Sequence, residues 1–581
     1  MAGSLNLKKV EELRMKLADL ISVIVYDYLW GLPLVVLILG TGVYITVRTG
    51  FFQFRCFGMS MKHAFNSIFH REKKDENDTG VLSPLEAMST ALGTTIGVGN
   101  IGGVASAIAV GGPGAVFWMW VAGLFGMIIK MAEITLAVHY RSKDANNEAY
   151  GGPNYYMKKG LGIEKKWKGV FKVLSFIFAF GFLIGYFINI QTYTVSEAVA
   201  KTFNIDMMVV GIVYTIALYV MISGGLKSVG KFAMTMVPFM CIFYILAGLF
   251  IMFRNAPQIP AMFKLVFDSA FNGTAAAGGF MGASVSLAIK TGMARSVFSN
   301  EAGWGSAPMI HASAKVDHPI KQGMMGIFEV FVDTFVVCTI TCIVILITGV
   351  WNSGLDGATL TLSAFETGIG SIGRVILALG VFLFGLTTSS GVYAQIEVVV
   401  RYLVGNSKMK DKILKFYKWT YPIPSLGMVV IAVYLGYPGA TLWLFSDAST
   451  ALPILANIIT LFLLTPRFLG LIKDYMARYK HVGTVDSDFP IFYEKEEDEE
   501  VKARAEWELP NNSLKYVHLH WSFLTTQLST SKVQRRFAAL RQNVSVLSLC
   551  SLGQGNIGYR NIKSSHRPHA ARAEHRCNRQ S

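Results

Sequence analysis

The stretch GTTIGVGNIGG, residues 93–103, lies inside a long apolar run, yet five of its eleven residues are glycine and three are threonine or asparagine. Glycine in a helix interior costs about 1 kcal/mol relative to alanine. This composition is therefore poor material for a continuous membrane helix. Gly97-Val-Gly99-Asn-Ile-Gly102 also satisfies the GxGxxG pattern of dinucleotide-binding loops. Two unlike functions compete for the same residues, and the surroundings decide between them.

Those surroundings are apolar. The 581 residues are 52% hydrophobic and 15% charged, with a mean hydropathy of +0.44, whereas a soluble domain carries about 25% charged residues. Runs such as Leu32–Val47, Phe176–Ile190 and Met234–Phe253 recur from residue 28 to 466. A bilayer core takes roughly 20 apolar residues as a helix, so the chain reads as an all-α polytopic membrane protein. The dinucleotide reading needs a preceding strand, a following helix and an acid about 20 residues on. Ser83-Pro-Leu-Glu-Ala-Met-Ser on one side and a Gly/Ala/Val helix on the other supply no such frame.

A net charge of +16 points toward nucleic acid until it is located. Residues 501–581 hold 13 Lys/Arg against three Glu, leaving +6 for the other 500 residues. No nucleic-acid partner is expected. Six scattered cysteines give no disulfide or metal framework. Residues 1–28 read as an interfacial amphipathic segment without a cleavable signal, and residues 482–581 as a polar, disordered tail.

Eleven spans are expected, near 29–48, 84–108, 114–138, 170–198, 206–223, 232–253, 274–297, 323–349, 373–402, 420–436 and 441–465. The connections after spans 1, 3 and 9 are rich in Lys and Arg; that between spans 2 and 3 has no charge at all. The positive-inside rule places the rich loops in the cytoplasm of a cell-membrane protein, with the N-terminus outside and the C-terminus inside.

With span 1 (29–48) set aside as an extra helix, ten spans remain. The glycine-rich interruption of span 2 has a counterpart five spans later, at Gly278, Gly279 and Gly282 in span 7. Odd spacing makes two halves, 84–253 and 274–466, of opposite sense. Paired broken helices in inverted repeats point to a secondary transporter's binding site. Small-residue packing alone would explain Gly93 and Gly97 at i,i+4, but not Thr94, Thr95 and Asn100 beside them. Unwinding frees N–H groups at the start of the second half-helix, suited to a carboxylate, and C=O groups at the end of the first, suited to Na⁺. In hydrocarbon such groups survive only where something binds them.

The stretches GTTIGVGNIGGVASAIAVGGPGAVFWMWVAGLFG (93–126), GGPNYYM (151–157) and ARSVFSNEAGWGSAPMIHASA (294–314) resemble the alanine/glycine:cation symporter family. The likeness runs from about residue 25 to 480. It implies a LeuT-type fold of five plus five inverted helices and a sodium-coupled carrier of small neutral amino acids. Carried over by position, it implies that the Val98 and Gly99 amides hold the substrate carboxylate, with Gly97 letting the backbone come close. The Thr95 carbonyl would face the amino group. The carbonyls of Gly93 and Ile96 would coordinate sodium, completed among Thr387, Thr388, Ser389 and Ser390. Asn100 would be a second sodium ligand or a brace across the break. Gln191, Phe280, Met281 and Ser284 would line the pocket. Where family members carry Trp after the glycine matching Gly391, this chain has Val392. A wider pocket follows, which brings glutamine into range beside alanine and glycine.

Among buried ionisable residues, Lys130 and Glu133 are spaced to pair; Asp333 is a brace or a cation-path residue, and Glu301 a gate or hinge rather than a substrate contact. Trp118 and Trp120 are expected to pack between helices. The expected function is a sodium-driven symporter that works by alternating access, for which a monomer suffices. The partners are sodium, the amino acid and the bilayer, with no organic cofactor. Proton coupling is the alternative within transport. A channel would need an open filter rather than a closed pocket, and an enzyme would need a nucleophile–base or metal constellation that the spans lack.

Overall fold

In the computed structural model, residues 19–69, 82–143, 148–272, 284–405, 407–437 and 439–493 are described. Among them a single short antiparallel hairpin, β1 (Ser142–Lys143) with β2 (Ala149–Tyr150), is the only sheet. Everything else that is regular is helical. In chain order the helices that build the site are α1 (Leu32–Arg48), α2 (Pro84–Thr95), α3 (Val104–Gly111), α4 (Gly114–His139), α5 (Lys168–Phe187), α6 (Ile190–Phe203) and α7 (Met207–Ser223). They continue with α8 (Gly225–Arg254), α9 (Val285–Asn300), α10 (Ala307–His311), α11 (Pro319–Val330), α12 (Ser371–Val404) and α13 (Gly439–Lys480). Helix α11 runs through a π-helical stretch, Phe331–Cys338, into a further α-helix, Thr339–Ile347.

The start of α2 shows how the sequence sets these boundaries. Ser83-Pro84-Leu85-Glu86 is a capping box with proline at the first helical position. The Ser83 hydroxyl accepts from the Glu86 amide (3.2 Å), and the Glu86 carboxylate accepts from the Ser83 amide (2.8 Å).

Eight helices among the described residues are long and apolar enough to cross a bilayer. Burial sorts them into two groups. In the most apolar stretches of Pro84–Gly111 and Gly114–His139, 89% and 83% of residues are buried, against 33% in Ser228–Arg254. The first two are core helices. The outer group exposes Phe176, Phe180, Leu246, Phe250 and Phe253, a face stable in lipid but not in water. The chain is an all-α, multi-pass membrane protein.

Two expectations change here. The span expected at 170–198 is two helices, α5 and α6. Ile188 and Asn189 leave the helical region, and the Asn189 side chain caps α6 by accepting from the Gln191 amide (3.2 Å). The segments expected at 206–223 and 420–436 are shorter than the other spans: α7 has 17 residues, and the later one divides into Pro422–Ser425 and Gly427–Leu435. The interruption expected at Gly278–Gly282 lies outside the described residues. A helix break is present further on: α9 ends at Asn300, Glu301, Gly303 and Gly305 take φ of +60°, +86° and +83°, and helix resumes as α10.

The termini also differ from expectation. Helix begins before the expected span: Ile24–Leu29 is π-helical, and Trp30 and an extended Gly31 (ψ 172°) separate it from α1, so the end of the expected interfacial segment is helical as well. Residues 482–493, expected to begin the tail, pack on the end of α4: the Tyr493 amide donates to the His139 carbonyl (2.8 Å), and Arg141 lies over the Phe492 ring.

Candidate functional site

The quoted stretch is a break. Helix α2 ends at Thr95, and Ile96 is extended (φ −83°, ψ 97°). The Gly97 amide donates to Asn100 Oδ1 (2.7 Å), and the Asn100 amide donates to the Gly97 carbonyl (3.2 Å). The chain re-enters helix through a π-helical turn, Gly99–Gly103, and then α3. Val98 and Gly99 thus open the second half-helix, where N–H groups have no earlier carbonyl to bond. Asn100 is the brace across the break.

Helix α12 presses on this break closely enough to demand glycine. A β-carbon at Gly97 would stand 2.2 Å from Thr388 Oγ1, and one at Gly391 would stand 1.8 Å from Thr94 Cγ2. Thr388 Oγ1 donates to the Gly93 carbonyl (3.1 Å). Two of the expected sodium ligands are therefore in contact. The other hydroxyls of α12 are differently engaged. Thr387 and Ser390 bond carbonyls of their own helix, and Ser389 meets the Tyr214 hydroxyl of α7 at 2.8 Å.

Between this break and the one after α9 lies a cavity of about 10 Å³, lined by Thr94, Thr95, Gly99, Gln191, Phe298, Glu301, Trp304, Thr388 and Val392. It holds about one water molecule, so the core is closed. Thr95, Gly99, Gln191, Thr388 and Val392 come together here as expected positions. Val98 is buried beside Gly99, and Ile96 caps α2. Phe280 and Met281 lie outside the described residues. Ser284 stands apart from the cavity as the exposed N-cap of α9, accepting from the Leu287 amide (3.1 Å).

Phe298, Glu301 and Trp304 were not anticipated as lining residues. Trp304 stacks on Phe298 with ring centroids 5.8 Å apart. The signal was present: SNEAGWG has the same mixture of glycine and polar residues as GTTIGVGN. The left-handed backbone at Glu301, Gly303 and Gly305 turns that segment toward Gly99, whose β-carbon position is 3.4 Å from Ser299 Cα.

The buried charges differ from the sequence reading in one pair. Lys130 bonds Glu329 of α11 (3.1 Å), not Glu133, and also donates to Thr95 Oγ1 (3.1 Å) and the Asn300 carbonyl (2.8 Å). Glu133 instead receives the Asn457 amide of α13. At i,i+3 on one helix, Lys130 reaches past Glu133 to a carboxylate on the facing helix. Asp333 accepts from Asn100 Nδ2 (2.5 Å), Ser299 Oγ (2.8 Å) and Thr334 Oγ1 (2.9 Å), so it joins both broken helices. Trp118 and Trp120 donate to the Ala270 carbonyl and Thr339, between helices. Asp447 of α13 pairs with Arg295 (2.6 Å) and accepts through its carbonyl from Trp30, which docks the first span onto the core. The four described cysteines are free and buried.

Comparison with known proteins places this architecture. A family model described as the sodium:alanine symporter family matches residues 15–488. The chain belongs to that family. Among its relatives, the sodium/alanine symporter AgcS of Methanococcus maripaludis is 40% identical over 461 residues, covering 77% of this chain and 95% of that protein. An uncharacterized transporter of Haemophilus influenzae is 39% identical over 469 residues, covering 80% and 97%. The probable sodium/glutamine symporter GlnT of Bacillus subtilis is 35% identical over 468 residues, covering 80% and 91%. A solved structure of a Na⁺-coupled sialic acid symporter, in a substrate-bound outward-open state, aligns with a TM-score of 0.41 and 12% identity over 76% of this chain and 98% of that one. This member of the sodium:alanine symporter family is a multi-pass transporter.

Proposed function

We propose that this chain imports a small neutral amino acid together with sodium, by alternating access of one central site from the two sides of the membrane. The observation that carries the reading is the cavity shared by two helix breaks. The Val98 and Gly99 amides open the second half of the first broken helix, and a positive dipole end of this kind holds a carboxylate. The Gly93 carbonyl and the Thr388 hydroxyl, 3.1 Å apart, form an oxygen pair beside it for sodium. Asn100, Ser299 and Asp333 gather at the same breaks and offer a second cation a carboxylate and a hydroxyl. The closed cavity fits an occluded stage, with α2 and α9 parting on either side of it to admit substrate. Inverted repeats, each with a broken helix, would supply the two-sidedness.

The experiment is uptake of labelled alanine, glycine and glutamine into proteoliposomes under imposed Na⁺ or H⁺ gradients. Uptake should follow the sodium gradient. Uptake driven by protons and indifferent to sodium would establish the second reading, proton coupling, which the buried carboxylates Asp333, Glu133 and Glu301 favour.

Relatives named for alanine and for glutamine leave the size of the guest to the pocket wall. Val392 lines the cavity from α12. Val392→Trp is expected to lower glutamine competition at least about tenfold, as excess volume does in a closed pocket, and to leave alanine uptake within about twofold. Unchanged glutamine competition would remove position 392 from the specificity wall.

A further inference from the structure

Glu301 is a buried acid that the protein does not neutralise. It is 1% exposed and lines the central cavity opposite Gly99. One carboxylate oxygen, Oε2, accepts from the Ser306 hydroxyl (2.7 Å) and Gln395 Nε2 (3.5 Å), both neutral donors. Among the described residues none donates to the other oxygen, and no basic side chain pairs with the carboxylate. Lys130 reaches the neighbouring Asn300 carbonyl and bonds Glu329, so its charge acts on Glu301 from a distance without an ion pair between them. The backbone at Glu301 is left-handed, φ +60°, without being glycine. That conformation is the left-handed C-cap of α9, with the Glu301 amide on the Val297 carbonyl, and it turns the side chain away from its own helix. A buried carboxylate with no bonded cation is costly. The cost is met if a cation enters the cavity with the transported molecule.

We infer that Glu301 receives the ammonium group of the substrate. The inference rests on reading the chain as an amino-acid symporter. It assigns the two ends of one zwitterion to the two broken helices, the carboxylate to the amides at Val98–Gly99 and the ammonium to Glu301. The charge on the ammonium, rather than cavity shape alone, then separates amino acids from hydroxy acids of the same carbon skeleton.

The test uses the full chain in detergent with saturating sodium, and alanine, lactate and glutamine as ligands. Lactate has a hydroxyl in place of alanine's ammonium. Glu301→Gln keeps an acceptor for Ser306 and removes the charge. Alanine affinity should fall about 10- to 100-fold, the usual effect of losing a hydrogen bond to a charged group. Lactate competition should stay level, so the preference for alanine over lactate collapses. Glu301→Asp keeps the charge and should recover part of the preference. Sodium-induced thermal stabilisation without amino acid should match the wild type. Proportional loss of alanine and lactate would mean a structural role, and loss of the sodium shift would make Glu301 a sodium ligand. Loss confined to glutamine would place the acid at the substrate side chain, and unchanged alanine affinity would remove it from binding. Each of these overturns the inference. If the wild-type protein itself binds no alanine in sodium, it is the symport reading that fails.

Discussion

Leucine at position 99 is expected to abolish sodium-dependent alanine binding, by at least about 100-fold, while expression and monodispersity stay at wild-type level. The reason is geometric. A β-carbon at Gly99 would stand 3.1 Å from Phe298 Cδ1 and 3.4 Å from Ser299 Cα, so even alanine must push its neighbours by a few tenths of an ångström. The rest of a leucine side chain has one place to go, the cavity, which already holds no more than about one water molecule. Overpacking of this kind costs about 1–3 kcal/mol of stability, which a large helical membrane protein tolerates. The substrate cannot share the space. Gly99→Ala should fall between, near a tenfold loss. Gly103→Ala is the control on the same turn: its β-carbon would meet Trp443 at 3.4 Å, an ordinary contact away from the lining residues. Binding by the leucine variant at wild-type affinity would refute the assignment of the Val98–Gly99 amides to the substrate carboxylate.

The first broken helix was legible in the sequence because its signals are local and agree. A capping box fixes the start of α2, glycine and threonine interrupt an apolar run, and the run is long enough to span. The break after α9 escaped notice for an equally physical reason. Gly278, Gly279 and Gly282, outside the described residues, interrupt an apolar stretch and so draw the eye, whereas SNEAGWG follows the polar stretch Lys290-Thr-Gly-Met-Ala-Arg295 of α9 and looks like a loop. Hydropathy cannot tell a loop in water from a break buried in protein, because both are polar. The structure can: Ser299, Asn300 and Glu301 are almost wholly buried. Gln191 was expected at the pocket and lines it, but the Asn189 cap that sets its position lay inside what read as one continuous span. Charge pairing failed for a related reason. Sequence spacing shows which residues share a face of one helix, so Glu133 was the visible partner of Lys130. Glu329, 199 residues away, becomes visible only when α4 packs on α11.

That pairing carries the second large effect. Lys130→Met is expected to lower stability by about 3–5 kcal/mol, the cost of breaking a buried ion pair by removing one partner, and to stop uptake as well. Lys130 is fully buried and its ammonium has three partners: Glu329 at 3.1 Å, Thr95 Oγ1 at 3.1 Å and the Asn300 carbonyl at 2.8 Å. Removing it leaves Glu329 with His311 alone (2.8 Å) and unties Thr95, the last residue of α2, from Asn300, the last of α9. The one ammonium therefore joins the ends of both helices that break at the cavity. Stability and transport separate in the double variant. Lys130→Met with Glu329→Gln removes the orphaned charge, and replacing a whole buried pair is often neutral, so most of the lost stability should return. Uptake should not return, because Thr95 and Asn300 remain untied. Thermal unfolding in detergent and proteoliposome uptake read the two effects independently. A single variant as stable as the wild type would show the ion pair to be energetically idle, and a double variant that regains uptake would show that the tie between the breaks is dispensable.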